Sequence, residues 1–172
     1  EHHYIGCNYR ITQFQAVLLS QQLTRLESQT RLRNENGVYL NKLLENIEGI
    51  SPLTRGHGET LHTYHLYIFR YNNSKFRGLP KKEFSEMLAA EGVPCFMGYP
   101  KPIYEQPLFQ KKNFLCYAIP DHVDYSKVHC PIAEHACYDE AIWILQHAML
   151  GTKEDMDQFA NAVIKIQKCV TM

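Results

Sequence analysis

Apolar positions recur at helical spacing over the first part of the chain. Phe14, Val17, Leu18, Leu19, Leu23 and Leu26 follow one another in this way, and Leu32, Asn36, Tyr39, Leu43 and Ile47 continue one face. Thr12 with Gln15 three residues on forms a capping box at the start, and Gly49 fits the stop. The pattern predicts one long helix or a broken pair over about 12–48, with Gly37 kinking or merely weakening it. Thr60–Tyr71 is different in kind: rich in β-branched and aromatic residues and bounded by Gly56/Gly58 and Asn72-Asn73-Ser74, it predicts a strand. On such a strand His62 and His65, three apart, would leave opposite faces and could not both line one pocket without a bulge.

Pro80 stands where a helix can begin, Phe84, Met87 and Leu88 give it an apolar face, and Gly92 ends it. Val93–Met97 predicts a second strand. Residues 99–132 carry Pro100, Pro102, Pro107, Pro120 and Pro131 among many aromatics, which excludes a long helix or a central strand and predicts an ordered irregular segment. His135–Leu150 reads as an amphipathic helix through Ala136, Glu140, Trp143, His147 and Leu150, stopped by Gly151. Thr152 with Asp155 forms another capping box and opens a final helix, with Met156, Phe159, Val163 and Ile166 inward and Lys165 and Lys168 near its end. The order helix, strand, helix, strand, irregular segment, helix, helix predicts an α/β or α+β domain, a small sheet covered by helices.

Composition narrows the class. At 172 residues, 45% hydrophobic and 21% charged, the chain has material for one well-cored domain. Its 18 Lys plus Arg balance 18 Asp plus Glu, so net charge does not drive it towards nucleic acid or anionic membrane. No run approaches the ~20 apolar residues of a membrane span, and no charged-then-apolar leader opens the sequence; a soluble, cytoplasmic protein is expected. The six cysteines, Cys7, Cys95, Cys116, Cys130, Cys137 and Cys169, lack the tight spacing of a disulfide framework and are expected as thiols.

Candidate chemistry is sparse. His129-Cys130 with His135 and Cys137 does not match the paired knuckles of a structural zinc site, and residues 135 and 137 of one helix would face different ways. No phosphate-binding glycine loop, nucleophile elbow or zincin motif is present.

Four segments in register change the picture. Gly6-Cys7-Asn8-Tyr9-Arg10-Ile11-Thr12-Gln13-Phe14-Gln15-Ala16 resembles the Gly-x-Asn-Tyr-Arg-Met-Thr-x-x-Gln-Ala signature of the DegT/StrS family. His62-Thr63-Tyr64-His65-Leu66-Tyr67-Ile68 resembles that family's His-Ala-x-His-Leu-Phe/Tyr segment. Glu91-Gly92-Val93-Pro94, Gly98-Tyr99-Pro100 and Pro102-Ile103-Tyr104 are similar to a third, and Cys130-Pro131-Ile132-Ala133-Glu134 with Trp143 and Leu150-Gly151 to the tail of its sugar- and aminocyclitol-aminotransferase branch.

The resemblance implies the C-terminal part of a homodimeric, pyridoxal phosphate-dependent aminotransferase that places an amino group from glutamate or glutamine on a keto-sugar or keto-cyclitol. It implies a connecting, dimer-contacting helical region over 1–50 and a small C-terminal domain of the fold-type I kind over 51–172. By the same resemblance Asn8 reaches the partner subunit's cofactor phosphate, and Tyr64, His65 and Tyr99 border the substrate; the guanidinium fork of Arg10 suits a substrate anion or phosphate in that pocket, or else a structural salt bridge at the start of the helix. The Schiff-base lysine, the aspartate for the pyridinium nitrogen and the ring-stacking aromatic would all precede Glu1, and no lysine from Lys42 to Lys168 has the matching context. No catalytic residue and no metal site is therefore expected in this chain, and Trp143 and Glu134 are expected to be structural. The alternatives are a non-catalytic dimerisation module derived from that family and, third, a small metal-binding domain on Cys130, His135 and Cys137.

Overall fold

The structure, a computed structural model, describes residues 10–114, 120 and 122–171. Helix α1 (Gln13–Leu23) opens on the expected capping box: the Gln15 N–H donates to Thr12 Oγ1 at 3.4 Å, and the Thr12 N–H donates back to Gln15 Oε1 at 2.8 Å. The chain breaks at Thr24–Arg25 and resumes as α2 (Leu26–Leu44), so the first apolar stretch is a broken pair. The two helices differ in what they bury. Helix α2 turns Asn36, Leu40 and Leu44 into the core, whereas α1 buries nothing and leaves Phe14 86% exposed.

Gly49, at φ +90°, turns the chain into β1 (Ile50–Pro52), followed by β2 (Leu66–Tyr71), α3 (Lys81–Ala90), β3 (Cys95–Phe96), α4 (Pro107–Gln110), α5 (Pro131–His135), β4 (Ala141–Leu145) and α6 (Lys153–Thr171). The strands form one antiparallel sheet in the order β1-β2-β4-β3, with Leu66 opposite Leu145, Ile68 opposite Trp143 and Phe96 opposite Trp143 on its other side. Alternation does the rest. Tyr67, Phe69 and Tyr71 of β2 and Ile142 and Ile144 of β4 turn to one face, where Leu40, Leu44, Phe84, Leu88, Phe159, Val163 and Ile166 from α2, α3 and α6 cover them. Each such fully buried side chain contributes about 1.5–3 kcal/mol. A small sheet covered by helices is the architecture expected.

Three boundaries differ from expectation. The strand expected over Thr60–Tyr71 begins only at Leu66, because Tyr64 sits at φ +45°, outside any extended conformation. The strand expected over Val93–Met97 is two residues long. The largest correction lies in 135–150, which is not a helix. Helix α5 stops at His135, a π turn spans Ala136–Glu140, β4 follows, and a 3-10 turn ends at Leu150. The run Ala-Ile-Trp-Ile-Leu favours a pleated surface, and as an inner strand it bonds to neighbours on both edges. Ile142 and Ile144 are fully buried at a spacing of two, a period that the helical reading through Trp143 overlooked.

Candidate functional site

A concavity of about 430 Å³ opens at the start of β2, lined by Asn41 of α2, by Leu53, Arg55 and Glu59 of the β1–β2 connection, and by His62 through Ile68. Because residues 60–65 are not a strand, His62 and His65 both line it, against the expectation that a strand would part them. Tyr64 is 6% exposed; its ring lies 4.1 Å from His62 and 5.7 Å from Tyr67, centroid to centroid. Burial pushes the Tyr64 and Tyr67 hydroxyls above their ordinary pKa, so both stay protonated, and the Tyr67 hydroxyl donates to Asn41 Oδ1 at 2.7 Å.

The wall is held by α2. Arg33, 5% exposed, donates through Nε to the Thr63 carbonyl at 2.8 Å and through Nη2 to Thr30 Oγ1 at 2.9 Å. Asn34 Oδ1 accepts from the His62 N–H at 3.1 Å and also from Arg55 Nη2. Arg55 Nε pairs with Glu59 Oε1 at 3.1 Å. Partial burial pushes the Glu59 carboxyl up, but the Arg55 hydrogen bond and charge and the Gly56 N–H outweigh it and bring the net shift below the usual carboxylate value. The concavity thus presents donors and acceptors side by side with little net charge, a lining suited to a hydroxyl-rich molecule.

The expected site residues do not all gather here. Tyr64 and His65 do. Tyr99 stands apart, half-exposed on the uncovered face of the sheet, 5.2 Å edge-on to Trp143, and Arg10 is exposed ahead of α1. Asn8 lies outside the described residues. Trp143 is sandwiched between Phe96 and Tyr99, and a Cβ on Gly98 would come 2.7 Å from its ring, so it packs as expected. Glu134 accepts from the Tyr104 hydroxyl, from the Cys130 N–H at 2.8 Å and from His129 at 2.8 Å, a clamp at the start of α5. Asn34, Asn41, Arg55 and Glu59 went unnoticed in the sequence; the four-residue spacing of Arg55 and Glu59 was the one signal available.

Cys130, His135 and Cys137 are not assembled: His135 is held by Asp139 at 2.9 Å and Glu140 at 3.0 Å, and no three metal-ligating groups converge among the described residues. Pyridoxal phosphate needs an amine for its aldehyde and cationic or N–H donors for its phosphate. The concavity's lining has no lysine, and its arginine is engaged by Glu59 and Asn34, so these residues do not make a cofactor site by themselves. Lys81, 9% exposed and with its amine pushed below the usual pKa by desolvation, donates instead to the Cys137 carbonyl at 2.6 Å, outside this lining.

Known proteins share this chain's sequence and shape. It is 31% identical over 167 residues to the L-glutamine:2-deoxy-scyllo-inosose aminotransferase of Streptoalloteichus tenebrarius, a match covering 94% of this chain and 39% of that protein. It is 31% identical over 170 residues to a putative L-glutamine:3-amino-2,3-dideoxy-scyllo-inosose aminotransferase of Micromonospora echinospora, covering 94% and 40%. The fold is that of part of the crystal structure of 3-amino-5-hydroxybenzoic acid synthase, with TM-score 0.73 and 22% identity over 96% of this chain and 41% of that one. It also matches a Helicobacter pylori aminotransferase involved in pseudoaminic acid biosynthesis, with TM-score 0.67 and 22% identity. The chain spans about two-fifths of the curated relatives it matches. Matched by the family's pattern over residues 1–166, it belongs to the DegT/DnrJ/EryC1/StrS aminotransferase family.

Proposed function

We propose that this chain is the C-terminal part of an aminotransferase that aminates a keto-cyclitol or keto-sugar, with glutamine or glutamate as donor. The observation that carries the reading is the match of 94% of the chain to two-fifths of an L-glutamine:2-deoxy-scyllo-inosose aminotransferase and of a putative L-glutamine:3-amino-2,3-dideoxy-scyllo-inosose aminotransferase. The substrate class also suits the concavity, whose amide, phenols and imidazoles beside the paired Arg55–Glu59 offer donors and acceptors to ring hydroxyls.

In this reading residues 51–172 form the small domain and residues 1–50 the connecting, subunit-contacting region. Pyridoxal phosphate is the cofactor of the complete enzyme. This chain's share of its site would be Asn8, as an amide donor to the phosphate of the partner subunit's cofactor, with Arg10 nearby for a substrate anion. Tyr64 and His65 would form the substrate-side wall, with Tyr99 at its border. The bare face of α1 is the homodimer contact, and the cytoplasm is the compartment. The reading assigns the amine-bearing lysine to the remaining three-fifths, so the 172-residue chain alone is expected to be inactive.

The test is amination of 2-deoxy-scyllo-inosose with glutamine, followed by product mass. The complete gene product, expected to be about two and a half times this length by its relatives, should form the amine, and the 172-residue chain supplied with pyridoxal phosphate should not. Turnover by the short chain, or none by the complete product on any keto-cyclitol or keto-sugar, would overturn the reading.

A further inference from the structure

The turn at residues 62–64 is costly to build. Tyr64 holds φ +45°, a region that bulky L-residues rarely adopt and that persists only where the surrounding structure imposes it. Three features of α2 impose it. Arg33 grips the Thr63 carbonyl, and Asn34 grips the His62 N–H. Gly37 makes room: a Cβ there would come 2.4 Å from Cε2 and Cζ of the Tyr64 ring. A glycine in mid-helix is itself unfavourable against alanine, so α2 gives up helix propensity and the turn accepts strain for the same contact.

What the turn secures is one hydrogen bond. The Tyr64 N–H donates to His62 Nδ1 at 2.9 Å. A ring nitrogen that accepts carries no proton, so neutral His62 must hold its proton on Nε2. The geometry is that of an Asx turn, in which a side-chain acceptor takes the N–H two residues on, with imidazole in place of a carboxamide. Protonating Nδ1 would leave the Tyr64 N–H, beside a 6%-exposed ring, without its partner.

We propose that His62 is locked in its Nε2–H tautomer by this strained turn, with Gly37 and Arg33 as the residues that position it. His62 is then a fixed hydrogen-bond donor in the concavity and not a proton acceptor. A neutral N–H of this kind takes a hydroxyl or keto oxygen; for that ligand class alone the inference rests on the aminotransferase reading.

The lock can be read on the 172-residue chain by nitrogen-15 NMR, without any enzymatic assay. The His62 ring should show a protonated Nε2 and an unprotonated Nδ1, with scalar coupling between Nδ1 and the Tyr64 amide. Since free imidazole already favours Nε2–H, the coupling and its response to substitution decide. Gly37→Ala should abolish it and speed exchange of the Tyr64 amide about tenfold, as loss of one hydrogen bond does. If Gly37→Ala does not fold, a second pair of variants serves. His62→Asn, which keeps an acceptor where Nδ1 stood, should preserve Tyr64 amide protection, and His62→Gln, which does not, should lose it. An Nδ1–H ring, no coupling in the unaltered chain, or equal protection in the two variants would overturn the lock. None of these outcomes bears on whether the complete protein aminates a cyclitol.

Discussion

Asn36 is a polar group buried against the core. It is 1% exposed, and its amide donates to the Met149 carbonyl at 3.0 Å and to the Gly151 carbonyl at 2.8 Å, tying α2 to the turn that precedes α6. Replacing it by aspartate preserves shape and leaves no donor when ionised and a single O–H when protonated. The ionised carboxylate would face two carbonyl oxygens out of reach of water, so the side chain should stay protonated in the folded state, its pKa raised by about 3 units or more from the unfolded ~3.9. The sign follows from linkage. A raised acid costs nothing extra below the unfolded pKa, and its penalty grows by about 1.4 kcal/mol per pH unit until the folded pKa is reached. Between pH 5 and a folded pKa near 7 the Asn36→Asp penalty should therefore grow by about 3 kcal/mol. Urea melts of both proteins at pH 5, 6 and 7.5 measure it as a shift of midpoint at constant slope. Asn36→Ala, whose penalty comes from two stranded carbonyls at about 1–3 kcal/mol each, should show a pH-independent loss. A pH-independent aspartate penalty, or one below about 1 kcal/mol at pH 7.5, would refute the buried, donating role.

Two further outcomes are expected. The Tyr104 hydroxyl, followed by the Cys130 N–H and His129, holds Glu134 below the ordinary carboxylate pKa despite opposing desolvation; the stability this brings is present above the unfolded pKa of ~4.3 and lost as pH falls through the folded value. The stability gap between the unaltered chain and Glu134→Gln should thus be widest near neutrality and close below about pH 4.3 in urea melts across that range; a gap constant with pH would contradict the clamp. Phe14, Val17, Leu18 and Leu23, at 86%, 63%, 65% and 64% exposure, should drive self-association of the chain, and Phe14→Glu with Leu18→Glu should shift its sedimentation to monomer; a clean monomer at high concentration before substitution would sink that expectation.

The first and last helices were legible because their signals are local, whereas α4 and the helix expected over His135–Leu150 were not read correctly. Capping boxes at Thr12 and Thr152 and the inward face of Met156, Phe159, Val163 and Ile166 are written within a few residues and needed no partner. Strand β4 was not, because five residues that match both a helical and a strand period are assigned by their neighbours, and those lie over 40 residues away in β2 and β3. The site shows the same division. Tyr64 and His65 stood out through a familiar run of residues, but their geometry comes from Gly37, Arg33 and Asn34 on another element. A mid-helix glycine explained only as a weak point was in truth a space reserved for a tyrosine ring.

Strand order sets the timing of folding. Both inner positions belong to β2 and β4, and β4 is the last strand in the chain, so neither β2's second edge nor β3 has a partner until residue 145 exists. A growing chain that has emerged through Glu140 would carry the β1–β2 hairpin with a six-residue, aromatic-rich edge open to any passing strand. Only when Ala141–Leu145 slides between β2 and β3 do 95–96 join the sheet, and α6 must still follow to cover Tyr67 and Phe69. Closure of the core is thus postponed until β4 and α6 have both been made, and a ribosome stalled before residue 141 would release a product that can neither finish its sheet nor shield it.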